Sequence, residues 1–162
     1  MRASSPPLTI LGSLDGVEAG LRQLRRSRPL EVERMRLGGH DLVVPTVQEL
    51  LRIKAYLVVQ RNQVRDYLDT VALAERLGEE AVGVLADIDA CRRDRSREAD
   101  SVLTALVQRL VEPNPRDQRV TTQLGSYQGV VARWSVWGEV REACAALSDA
   151  LLDRLRTTGS AT

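Results

Sequence analysis

The chain has 162 residues, 43% hydrophobic and 28% charged, with a formal net charge of +1. That is the composition of one compact domain, or one with a helical appendage, and not of a disordered, collagen-like or membrane protein. Its basic side chains are 22 arginines and a single lysine, Lys54, and it lacks phenylalanine altogether; the skew follows GC-rich codons, so the position of the one lysine is informative.

No apolar run reaches the ~18 residues of a spanning helix, and the start MRASSPPLTILGS has no apolar signal-peptide core. A cytoplasmic protein with no membrane partner is therefore expected. Residues 1–66 carry an excess of four positive charges and residues 67–162 an excess of three negative ones. Arg22, Arg25, Arg26, Arg28, Arg34 and Arg36 supply much of the first, but no aromatics interleave with them to stack bases, so they read as a solvated basic surface. Cys91 and Cys144 have no C-x-x-C partner and no histidine nearby, which points to reduced, half-buried helix cysteines and away from zinc or a disulfide framework.

In chain order, Leu8-Thr9-Ile10-Leu11 reads as a short strand closed by Gly12-Ser13, and Leu14 to Arg26 as a helix. Leu30 to Leu37 alternates like a strand, slipping phase between Glu33 and Met35 as at a bulge or in a strand buried on both faces. Gly38-Gly39-His40-Asp41 gives turn chemistry before Leu42-Val43-Val44, so residues 30–44 form a hairpin. Two or three short strands make no independent sheet.

From Pro45 onward the pattern is helical. Thr46 and Glu49 form a capping box at the head of a helix to about Gln60. A second helix covers Val64 to Leu77 and stops at Gly78, and further helices are expected over about 79–92, 97–111 and 136–156. A polar stretch with Pro113, Pro115 and Tyr127 separates the last two. The class is α+β, mostly α, with an α/β segment over 1–45, a helical domain over 46–156 and a disordered tail over 157–162.

On a helical wheel Lys54 falls in the middle of an apolar stripe of Val47, Leu50, Leu51, Leu57 and Val58. A buried, unpaired ammonium is costly, so Lys54 must snorkel, pair with a carboxylate or face an anion. Arg61 lies seven residues on along the same line. Asp66 and Asp69, spaced i, i+3 on the next helix, are neighbours within reach of both cations. Two readings follow from spacing alone: a pair of helices cross-braced by salt bridges, or a phosphate or nucleotide site.

The run Glu49 to Asp69, ELLRIKAYLVVQRNQVRDYLD, resembles the K-x-x-A/L-x-x-R…R-D-x-x-D signature of the AbiEii/AbiGii nucleotidyltransferase-like toxins, over about residues 45–78. The resemblance implies an enzyme of the polymerase-β-like superfamily, the toxin half of a type IV toxin–antitoxin or abortive-infection pair. Such an enzyme uses Mg²⁺ and a nucleoside triphosphate to transfer a nucleotide to an acceptor such as tRNA, and is partnered by a winged-helix antitoxin. Carried over, Lys54, Asp66 and Asp69 match catalytic positions, while Arg61 and Arg65 match phosphate-binding ones.

That superfamily needs G-S, then about ten residues, then D-x-D on a strand to hold two metal ions. Here Gly12-Ser13 leads only to Leu14-Asp15-Gly16, and Asp87-Ile88-Asp89 lies in a helical pattern where i, i+2 side chains diverge. Glu31 and Glu33 are the remaining, weak candidates for metal ligands. The chain thus resembles the C-terminal two thirds of such an enzyme, truncated and without its metal site. The alternative is a non-catalytic helical interaction module in which Lys54, Arg61, Asp66 and Asp69 form a structural ion-pair brace.

The other chemically interesting residues read as structural. His40 is a solvated turn residue, Gly38-Gly39 lacks the pattern of a phosphate loop, and Trp134 and Trp137 anchor the last helix. Arg92-Arg93-Asp94-Arg95-Ser96-Arg97 reads as a solvated loop.

Overall fold

The structure, a computed structural model, describes residues 2–3, 9–22, 27–91, 101–127 and 129–159. Strands β1 (Arg2–Ala3), β2 (Thr9–Leu14) and β3 (Val17–Arg22) form an antiparallel sheet in that order. The helix expected over Leu14 to Arg26 is instead the β2–β3 hairpin, as far as Arg22; residues 23–26 lie outside the described part. Its turn is Asp15-Gly16, with φ of 50° and 80°. Left-handed values at both central residues are what a two-residue type I′ turn requires, and Asp-Gly supplies them at little cost. The helical spacing of Leu14, Val17 and Leu21 yields to that turn.

Strands β4 (Val32–Leu37) and β5 (His40–Pro45) form a separate hairpin. Gly38 and Gly39 turn the chain at φ of 56° and 83°, and His40 stands exposed at the head of β5. Pairing runs unbroken from Val32 opposite Pro45 to Leu37 opposite His40. There is thus no bulge at Glu33–Met35, and β4 is exposed on both faces where burial on both was the other expectation. Its mixed alternation reflects a strand that none of the described residues buries.

Among the described residues five helices make the body: α1 (Val47–Gln60), α2 (Val64–Leu77), α3 (Glu80–Ala86), α4 (Val102–Val111) and α5 (Trp137–Gly159). The capping box at α1 is half formed. Thr46 Oγ1 accepts the Glu49 N–H at 3.2 Å, but the Thr46 N–H donates to the Glu31 carbonyl at 3.0 Å and so ties the β4 approach to the helix head. Gly78 ends α2 at φ 57°. The helix expected over 79–92 breaks after Ala86 into a 3₁₀ turn, Ile88–Cys91, because Asp89 turns to cap α4: its carboxylate accepts the Val102 N–H at 2.7 Å and the Ser101 hydroxyl at 2.6 Å. Arg92 to Arg97 lie outside the described residues. Helix α5 carries on to Gly159, so residues 157–159 of the expected tail are helical.

The core is built from α1 (Leu51, Ala55, Val58), α2 (Val64, Tyr67, Leu68, Val71), α4 (Leu106, Leu110) and α5 (Val140, Cys144, Leu151), closed by Leu85, Leu124 and Trp134. Helix α1 packs on α2, α3 and α4, and α5 on α2, α3 and α4. Among the described residues nothing before Leu51 belongs to this core. The fold is α+β and mostly α, with its stability lodged in the helices. Cys91 and Cys144 are free and buried, where half-burial was expected. Among the described residues no helix is long and apolar enough to cross a membrane.

Candidate functional site

Helix α1 ends at Gln60 and α2 begins at Val64, so the short corner between them folds the charged faces of the two helices onto one another. Lys54 Nζ donates to Asp69 Oδ2 at 2.6 Å. Arg61 forks onto Asp66, its Nε 3.3 Å from Oδ2 and its Nη2 bonded to Oδ1. Arg65 Nε lies 3.7 Å from Asp69 Oδ2, and its guanidinium sits over the Tyr127 ring, 5.6 Å from the centroid. The five sequence-predicted residues therefore fall into two groups at the α1–α2 corner, Arg61 on Asp66, and Lys54 on Asp69 with Arg65 at its margin.

The pairs are unequal. The Asp66 side chain is fully buried, and its own carbonyl accepts the Thr70 hydroxyl at 2.7 Å. A buried carboxylate demands a charged, hydrogen-bonded partner, which the Arg61 fork provides. Asp66 also stands in the first turn of α2, where the helix dipole favours negative charge. Lys54 and Asp69 are both partly exposed, as befits a lysine whose stem crosses an apolar stripe while its ammonium reaches outward. Both cations that were expected to converge on a phosphate are engaged with carboxylates.

The weak metal candidates do other work. Glu31 takes Arg52 Nη1 at 2.8 Å, and the same nitrogen lies 3.4 Å from the buried Glu49. Burial lowers the Arg52 guanidinium's proton affinity, but the hydrogen bond and charge of Glu31, with Cys91 and Glu49 adding, outweigh it and leave the group above its ordinary value. Arg52 thus clamps the base of the β4–β5 hairpin to α1. Glu33 sits exposed within β4. Among the described residues no group of three or more His, Cys, Asp or Glu side chains is placed to hold a metal ion, and nothing supports a site for Mg²⁺ or a nucleoside triphosphate.

Sequence reasoning missed a polar network at the same corner. Asn62, 4% exposed and at φ 55°, accepts the Tyr67 hydroxyl at 2.5 Å and donates to the Asn114 carbonyl at 2.9 Å. Its own carbonyl accepts the Arg116 N–H at 2.8 Å. Asp117 Oδ1 accepts the Val64 N–H at 2.8 Å and so caps α2 from 53 positions away. The only local signal was asparagine itself, the residue that best tolerates the left-handed region after glycine. Burial pushes the Tyr67 phenol up to about 12 against the opposing charge of Arg109, and burial alone lifts the Cys144 thiol to about 12. Trp137 meets Tyr67 edge-on at 6.1 Å, and Trp134 is buried in the core.

No protein-family model matches the chain, and no solved structure matches it. It is similar to a heme uptake protein, MmpL11, of Mycobacterium tuberculosis, with 34% identity over 134 residues. It is likewise similar to a mycolic acid-containing lipids exporter, MmpL11, of Mycolicibacterium smegmatis, at 31% over 137 residues, and to a probable transport protein, MmpL11, of Mycobacterium leprae, at 31% over 134 residues. Each alignment takes in 82% of this chain but only 13% or 14% of the relative. This similarity overturns the nucleotidyltransferase and toxin–antitoxin reading: a motif of five charged residues matched by spacing is outweighed by identity spread along most of the chain. The Mg²⁺–triphosphate chemistry, tRNA acceptor and winged-helix partner implied by that resemblance lose their basis with it. What the chain shares is a segment of about one eighth of an MmpL11 transport protein.

Proposed function

We propose that the chain is a non-catalytic helical module that serves a transport protein of the MmpL11 kind. In this reading Lys54, Arg61, Asp66 and Asp69 brace α1 against α2, Arg65 adds to the brace, and residues 46–156 act as the folding unit. The observation that carries it is the mutual engagement of these charges, Arg61 on buried Asp66 and Lys54 on Asp69, in a chain whose similarity runs to transport proteins. Side chains committed to one another across a helix corner stabilise a shape and leave little free charge for chemistry.

The Mycolicibacterium smegmatis exporter provides the test. Its matching segment is deleted, or replaced by this chain, and export of mycolic acid-containing lipids is measured with the protein held at its normal level. Deletion is expected to abolish export and the replacement to restore it. Export that survives the deletion, or a replacement that is present yet restores none, contradicts the proposal.

A further inference from the structure

Beside the helix corner lies a recess of about 690 Å³ with Asn62 and Asn114 among its lining residues. Three arginines line it: Arg109 from the last turn of α4, and Arg116 and Arg119 from the segment that follows. All three are exposed, and among the described residues none makes an ion pair. Arg109 has a local reason to be where it is, since a cation complements the C-terminal end of a helix. Arg116 and Arg119 have none. The one carboxylate in the lining, Asp117, already accepts the Val64 N–H, so three guanidinium groups face a single carboxylate.

The wall that carries these charges is fixed rather than loose. Arg116 is pinned through its backbone N–H to the Asn62 carbonyl, and Asn62 is held by Tyr67 and by the Asn114 carbonyl. Asparagine takes the left-handed region readily, and the hydrogen bonds to Tyr67, Asn114 and Arg116 fix Asn62 there. Guanidinium groups are the side chains best matched to oxyanions, because their fork of donors meets two oxygens at once.

We propose that this recess binds a phosphate monoester, whose charge of about −1.5 to −2 at neutral pH matches the excess of two positive charges in its lining. The monoester is carried either by a lipid headgroup or by a small soluble molecule. The full chain is titrated calorimetrically with inorganic phosphate, alongside an R116Q/R119Q variant whose melting temperature is checked against the parent. Both arginines are exposed, so the variant is expected to fold. Saturable binding with a Kd of about 1 mM or tighter, weakened at least about tenfold in the variant as two charge-assisted contacts are lost, is the expected result.

Phosphatidate vesicles, with phosphatidylcholine vesicles as control, separate the two sources. Capture by phosphatidate that free phosphate competes away assigns the lipid headgroup, and phosphate binding without capture assigns a soluble ligand; either upholds the site. Absence of saturable phosphate binding, binding indifferent to R116Q/R119Q, or binding of a polyglutamate peptide in place of phosphate overturns it.

Discussion

Asp66 lies fully buried one turn into α2, and a carboxylate in that position destabilises a fold unless a cation meets it. Arg61 does so from the far side of the corner. The i, i+3 pairing of Asp66 with Asp69 and the alignment of Lys54 with Arg61 were legible in the sequence, because helical geometry fixes which side chains share a face. Which cation took which carboxylate was not, since that depends on how the corner residue Asn62 bends the chain. The Asn62–Asn114 and Val64–Asp117 links were invisible for a different reason: they span 52 and 53 positions, and no local pattern encodes them.

Cys144 gives a pH prediction at the same scale. Burial raises its thiol from 9.0 to about 12, so the folded chain holds a proton that the unfolded chain releases above pH 9. The stability this contributes is whole below about pH 9 and is lost as pH climbs toward 12, at up to about 1.4 kcal/mol per pH unit. Tyr67 acts in the same direction from 10.0 to about 12. Denaturant unfolding of the parent and of C144A at about pH 8 and pH 10 is expected to show a smaller alkaline loss in C144A; equal losses contradict it.

At the level of elements, the β4–β5 hairpin is tied to α1 at its foot by Arg52 and Glu31, yet neither hairpin gives a described residue to the helical core. Gly38 and Gly39 hold left-handed φ values that a β-branched residue takes only under strain. Because no described hairpin residue joins the core, G39V is expected to disrupt β4–β5 while moving the unfolding free energy by less than about 1 kcal/mol. Hydrogen exchange is expected to quicken over residues 32–45 and to stay slow in α1, α2, α4 and α5. A loss of protection shared by the helices contradicts that separation.

The helix start at Thr46 and the stop at Gly78 were readable from cap chemistry, while the cap at Ser101 was not. Ser101 fell four residues inside the expected helix, whose beginning at Arg97 lies outside the described residues. The apolar spacing of Leu14, Val17 and Leu21 suits a helix, but in so short a stretch the Asp15-Gly16 pair decides and makes the β2–β3 hairpin. The break after Ala86 has no local signature, because Asp89 serves a helix that begins thirteen residues later.

Across the whole molecule, the fold class was legible because long amphipathic helices announce themselves, while the function was not. Five charged residues at suitable spacing suit a triphosphate site and an ion-pair brace equally well, and the choice turned on where the carboxylates point and on similarity spread along most of the chain. The account stands on the brace holding α1 to α2, and a double-mutant cycle of R61A, D66A and R61A/D66A measures that directly in denaturant unfolding. We predict that each single change costs about 2–4 kcal/mol and that the double falls short of their sum by at least about 1 kcal/mol. Additive losses, agreeing within about 0.5 kcal/mol, would contradict the brace.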